Sequence, residues 1–304
     1  MKVALHGCAA LAVTGAACGS AGSTGPEAPA GGFPAATTTY CTDGGEALTL
    51  DLLEPAGGAT GPHPLLIVVH GGSWTFGSSA ITTQNPLTQA AAAALLRRGV
   101  AVASINYRLA PRDAWPAQIV DTRCAIRYLR ATAARWDIDP RRFVTLGNSA
   151  GAQLVALDAL SAGEEPQWDN GQYASESSAV QGVVDLWGPV DLVAPGWGAA
   201  AIQIGTPVFG ASLGSDSEAL QRASPVTYIR AGDPPFLVIQ GAADSLVPPA
   251  QATEIHDRLV AAANVATLIV VAHAGHELIP QGGAIVPTIS SLAASVVSFV
   301  SGVA

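Results

Sequence analysis

Short apolar runs that are continuous rather than alternating recur along this chain, and helix-length segments separate them. The runs are Leu65 to Val69 (LLIVV), Val100 to Tyr107 (VAVASINY), Phe143 to Gly147 (FVTLG), Val180 to Gly188 (VQGVVDLWG), Pro235 to Gly241 (PFLVIQG) and Thr267 to Ala272 (TLIVVA). A continuous run suits a strand covered on both faces, whereas a strand with one wet face alternates. Only Ala47 to Pro55 (ALTLDLLEP) alternates. Helices are expected over Leu87 to Arg98, Ala117 to Trp136, Gln153 to Leu160, Gln251 to Ala263 and Ile289 to Val300. Strand alternating with helix predicts one α/β domain, a mostly parallel sheet with helices on both faces, spanning residues 41–304. The Gly/Ala-rich stretch from Ala194 to Ser215 is expected as a long irregular insertion, a length of loop that is often functional.

The chain opens differently. One lysine, a small apolar run and Cys18 precede a Gly/Ser/Pro/Ala stretch. Residues 1–18 are expected to be an export signal and 19–40 a flexible tether. Cys18 follows Gly15-Ala16-Ala17, where a bacterial lipoprotein is cleaved and lipidated, so the expectation is an exported protein, lipid-anchored at Cys18 or secreted. With a net charge of -9 and 12% charged residues there is no basic face for nucleic acid. Lys2 is the only lysine, which excludes lysine chemistry from any form lacking the leader. Cys41 and Cys124 are expected as small buried thiols, with one disulfide as the other reading.

In an open parallel sheet, ligands sit beyond the carboxyl ends of the strands. Gly147-Asn148-Ser149-Ala150-Gly151 stands there, between an apolar run and a helix, and is a G-x-S-x-G elbow in its required context. A serine hydroxyl needs a base to take its proton, and the base needs an acid to fix its tautomer. His273 and His276 both follow the last apolar run. His276 lies further along the loop, where the chain can bend back over the sheet, and is the expected base. Asp244 follows the penultimate run and is the expected acid, with Asp191 as runner-up whose plainer role is a turn or cap. Negative charge formed on the attacked carbonyl oxygen calls for donors already in place. The N–H groups of Gly72 and Ser73 in HGGSW (His70 to Trp74) and of Ala150 are expected to supply them, with His70 ordering the loop and Trp74 lining the substrate pocket.

With HGGSW go NYRLAP, PAQIVDTRCAIRYLR, IDPRRFVTLGNSAGAQL, VVDLWGPVDL, PPFLVIQGAADSLVPPAQA and AGHEL. Together these blocks resemble the esterase branch of the α/β-hydrolases that includes hormone-sensitive-lipase-like and bifunctional feruloyl/acetylxylan esterases. The resemblance implies the α/β-hydrolase fold, Ser149, Asp244 and His276 as triad, and no metal or organic cofactor. It implies hydrolysis of carboxylic esters, acetyl or feruloyl esters among them, on a small molecule or a polysaccharide, and without a lid to cover a long acyl chain short-chain esters are expected to be preferred. The frequent third glycine of HGGG is Ser73 here, and little sequence precedes the first strand to build a large N-terminal cap, so an open site is expected. Amide or formamide hydrolysis by the same triad, and a non-catalytic surface binding protein on the same fold, are the competing readings.

Overall fold

The computed structural model describes residues 35–55, 60–169 and 171–304. Cys18, the expected export signal and most of the expected tether lie outside the described residues. Ala35 through Tyr40, assigned above to the tether, are strand: β1 runs Ala35–Asp43 and forms a hairpin with β2, Glu46–Leu53. The turn between them is Gly44-Gly45, both at positive φ, a conformation glycine adopts without a side-chain clash.

Six further strands follow: β3 His63–Val69, β4 Ala101–Ile105, β5 Ile138–Asn148, β6 Gly182–Leu186, β7 Phe236–Gly241 and β8 Ala266–Val271. They form one sheet in the order β1-β2-β4-β3-β5-β6-β7-β8. β2 is antiparallel to both neighbours, and β4, β3, β5, β6, β7 and β8 are parallel.

The continuous runs are explained by cover on both faces. Leu65, Ile67 and Val69 of β3 point into one core, while Leu66 and Val68 point into the other. The first core is closed by α2 (Ala117–Ala131), α3 (Ala150–Leu160) and α6 (Pro249–Ala261), the second by α1 (Pro86–Leu96) and α7 (Ile289–Val303). Local chemistry starts the two helices of the second layer. Asn85 accepts the Thr88 N–H at 3.0 Å with Pro86 in the first turn, and Thr288 accepts the Ser291 N–H at 3.3 Å.

Two expectations change. The stretch from Ala194 to Ser215 is not irregular, because α4 occupies Ala199–Phe209 despite Pro207 within it, and a short α5 follows at Glu218–Ala223. Cys41 on β1 and Cys124 on α2 are joined in a disulfide, 83 residues apart in sequence, so the reading as free buried thiols is overturned. Packing of α2 against the β1 edge brings their Cα atoms to 6.5 Å, within bridging range.

Winding direction places the site. The chain steps from β3 outward to β4, then crosses back to lay β5 on the other side of β3. The crevice at such a reversal, at the carboxyl ends of β3 and β5, is where open α/β sheets hold ligands. His70 and Ser149 follow those two strands directly.

Candidate active site

Ser149 sits at φ 52° and ψ -120° between the end of β5 and the start of α3. For a residue with a side chain this is a strained conformation, held by surrounding structure. The Ser149 N–H donates to the Leu186 carbonyl at 2.9 Å, tying the elbow to β6. Bare backbone is required on both sides of the turn. A Cβ on Gly147 would stand 2.2 Å from the Gly151 carbonyl oxygen, and one on Gly151 would stand 2.1 Å from that of Val69. The two glycines therefore let strand, elbow and helix close to contact distance, and the hydroxyl is presented at the top of the sheet.

His276 and Asp244 reach Ser149 from the loops after β8 and β7. The Ser149 Oγ lies 3.0 Å from His276 Nε2, and His276 Nδ1 lies 2.8 Å from Asp244 Oδ2. An ionised carboxylate only accepts, so Nδ1 carries the proton and donates it to Asp244, which leaves Nε2 to accept from the serine hydroxyl. Asp244 is buried and its other contacts hold it still. Oδ1 accepts the N–H groups of Leu246 and Val247, each at 2.9 Å, and Oδ2 also accepts from Gln240 Nε2 at 3.1 Å. The His276 ring meets the Trp187 ring edge-on, with centroids 6.5 Å apart. Asp191, the other acid considered, accepts the N–H groups of Val193 and Ala194 at 3.1 and 3.0 Å, which is the turn role. His273 is an exposed loop residue.

The loop after β3 supplies donors. Among the described residues, the N–H groups of Gly72, Ser73 and Ala150 have no acceptor in the protein. Gly72 and Ser73 take φ of 107° and 54°, and the Gly72 carbonyl accepts the N–H groups of Thr75 and Phe76, which folds the loop on itself. His70 orders this loop from below, buried and stacked on Tyr107 with ring centroids 4.2 Å apart. Burial pushes its pKa down to about 4, so the ring is neutral at ordinary pH. The unfolded chain therefore binds a proton that the folded chain refuses between pH 6.5 and 4, and stability falls as pH drops through that window. Relative to His70→Gln, which cannot titrate, the wild type should lose about 2 kcal/mol between pH 7 and pH 5, measured by urea unfolding at each pH.

Two cavities open beside the elbow, one lined by Ser149 and the other by Asn148. The smaller, about 20 Å³, is lined by Ser149, Ser73 and Trp74 with Trp197, Ala201, Ile204, Leu213 and Val247. Trp74 thus does line the site, but it is almost wholly buried, its indole N–H donating to Gln153 Oε1 at 2.9 Å and its ring meeting Phe209 edge-on. Sequence reasoning missed Gln153, one turn along the helix from Ser149, and the wall given by α4. The larger cavity, about 470 Å³, is lined by His70, Gly71, Gly72, Phe76, Asn148 and Glu277 among others. No group of three or more His, Cys, Asp or Glu among the described residues is placed to hold a metal ion.

Chemically the arrangement can deprotonate a serine, hold the resulting imidazolium against a buried carboxylate and receive an oxyanion on backbone donors. Known proteins with related sequences and folds carry esterase names. Residues 50–259 match the family model BD-FAE. Esterase LipC of Mycobacterium tuberculosis is 32% identical over 216 residues, 70% of this chain and 52% of that protein. Esterase LipQ of the same organism is 35% identical over 211 residues, 68% of this chain and 48% of that protein. This chain therefore spans about half the length of these two relatives. A truncated carbohydrate esterase from gut microbiota superposes with a TM-score of 0.69 and 26% identity, covering 88% of this chain and 96% of its own.

Proposed function

We propose, from the premise that this chain belongs to the BD-FAE family and has the α/β-hydrolase fold, that it is a serine carboxylesterase acting on short-chain acyl esters. The observation that carries the reading is the continuous relay Ser149–His276–Asp244, at 3.0 and 2.8 Å, opening onto unoccupied backbone donors. Ser149 attacks the ester carbonyl while His276 Nε2 takes its proton. The N–H groups of Gly72, Ser73 and Ala150 receive the oxyanion, and His276 then protonates the departing alcohol oxygen, leaving an acyl-serine. Water, activated by the same imidazole, releases the acid. Asp244 holds the tautomer and stabilises the imidazolium throughout. The LipC and LipQ similarities and the carbohydrate-esterase likeness support ester over amide as the substrate bond.

Acyl length follows from the cavity at Ser149. A space of about 20 Å³, walled by Trp74, Trp197 and Leu213, holds a methyl or a short chain and little more. Each further methylene gains about 0.8 kcal/mol only where apolar surface covers it, and the small cavity runs out of cover. In a panel of 4-nitrophenyl esters, with acetylated xylan and feruloyl esters alongside, kcat/KM should peak between acetyl and butyryl. Preference for chains of about ten carbons or more would show that α4 moves aside as a lid, and would overturn the short-chain reading.

A further inference from the structure

The larger cavity is distinct from the acyl space and adjoins the relay through chain neighbours: Asn148, next to Ser149, and Glu277, next to His276, both line it. It opens between Gly71-Gly72, which precede the oxyanion donor Ser73, and Glu277, which follows His276. A leaving oxygen must face His276 Nε2 to be protonated, and Glu277, the residue after His276, lines this cavity.

The lining has an unusual charge balance. Glu277 carries its only ionised side chain, because no arginine or lysine lines the cavity and burial keeps His70 neutral. The Glu277 carboxylate has no hydrogen-bond or ion-pair partner among the described residues, although other exposed acids such as Glu46 and Glu164 are paired with arginine. Beside it the cavity wall includes Phe76, 65% exposed, with the ring packed against Gly72. An unpaired carboxylate and an exposed aromatic ring in one cavity are the two elements that attract an organic cation.

Resting on the esterase reading above, we propose that this cavity receives the alcohol side of the ester and that Glu277 and Phe76 make it selective for alcohols bearing a positive charge, such as a quaternary ammonium. Anionic leaving groups are repelled by the same carboxylate, which the net charge of -9 reinforces at longer range.

The test compares acetylcholine with 3,3-dimethylbutyl acetate, its neutral carbon isostere, so that shape and leaving-group size cancel. At low salt the kcat/KM ratio should favour the cation on the order of tenfold, as expected for charges about 6 Å apart in partly screened surroundings. It should fall toward one in about 1 M salt, where the Debye length is about 3 Å, and in Glu277→Gln. Phe76→Leu, which keeps an apolar side chain but removes the π face, should lower it in part. A ratio of one or less in the wild type, or a ratio unchanged in Glu277→Gln, overturns the proposal while turnover of the neutral ester leaves the esterase reading standing. If 4-nitrophenyl acetate is not turned over either, that reading fails instead; where neither alkyl acetate is turned over, calorimetric titration with choline decides the cavity's preference independently: binding lost in Glu277→Gln supports it, and absence of binding to the wild type overturns it.

Discussion

Ser149→Ala should lower kcat/KM for 4-nitrophenyl acetate by about 10⁴- to 10⁶-fold while leaving the fold intact. In the proposed mechanism the hydroxyl oxygen forms the covalent bond, and among the described residues no other nucleophile stands in its place: the histidine's two nitrogens hydrogen-bond with Ser149 and Asp244 alone. The fold survives because the hydroxyl's one hydrogen bond is to His276, worth about 1 kcal/mol net. Alanine takes the same φ of 52° that serine already tolerates, so no new strain enters the elbow. A thermal melt by circular dichroism should move by a few degrees at most. Retention of most activity with an unchanged fold would overturn the serine mechanism, whereas loss of activity with loss of the fold would be a structural effect, which the melt separates.

The residues of this relay are legible in the sequence because the chemistry restricts them so tightly. A nucleophile that must stand on a sharp strand-to-helix turn needs glycines on both sides, and Gly147 and Gly151 show the reason, their missing Cβ atoms leaving room for the carbonyls of Gly151 and Val69. His276 and Asp244 are found by position, each just past a continuous apolar run. The walls of the site were hidden. α4 contains Gly205 and Pro207, two poor helix formers, so its composition reads as a loop even though tertiary packing of Ala201, Val208 and Phe209 holds it helical. β1 was hidden for another reason. Its residues AATTTYCTD follow a Gly/Ala/Pro-rich stretch, and as an edge strand it is largely exposed, so neither alternation nor a continuous apolar run marks it.

The disulfide is the feature that sequence could least reveal, and breaking it should have the largest effect on stability. Cys41 and Cys124 are ordinary small residues until β1 and α2 are brought side by side, and their separation of 83 residues carries no signal of pairing. That same separation makes the bridge effective, because it closes a long loop in the unfolded chain. The chain-entropy relation gives about 4.5 kcal/mol for a loop of this length, with about 2–4 kcal/mol typical of measured bridges. Cys41→Ala/Cys124→Ala, or reduction of the wild type, should therefore lower Tm by roughly 10 °C. Activity at room temperature should persist, since β1 is the edge strand and β2, β4 and β3 stand between it and the strand that carries Ser149. β1 should be the first element to detach, as increased hydrogen exchange confined to Ala35–Asp43 and the outer face of α2 would show. Because bridges of this kind persist in oxidising compartments, we also propose that the chain is exported. Alkylation of exported and cytosolic material should then find Cys41 and Cys124 protected only in the former. A double variant that melts with the wild type would mean that the hairpin is held by its packing alone, and the bridge would then contribute nothing that β1 and α2 do not already supply.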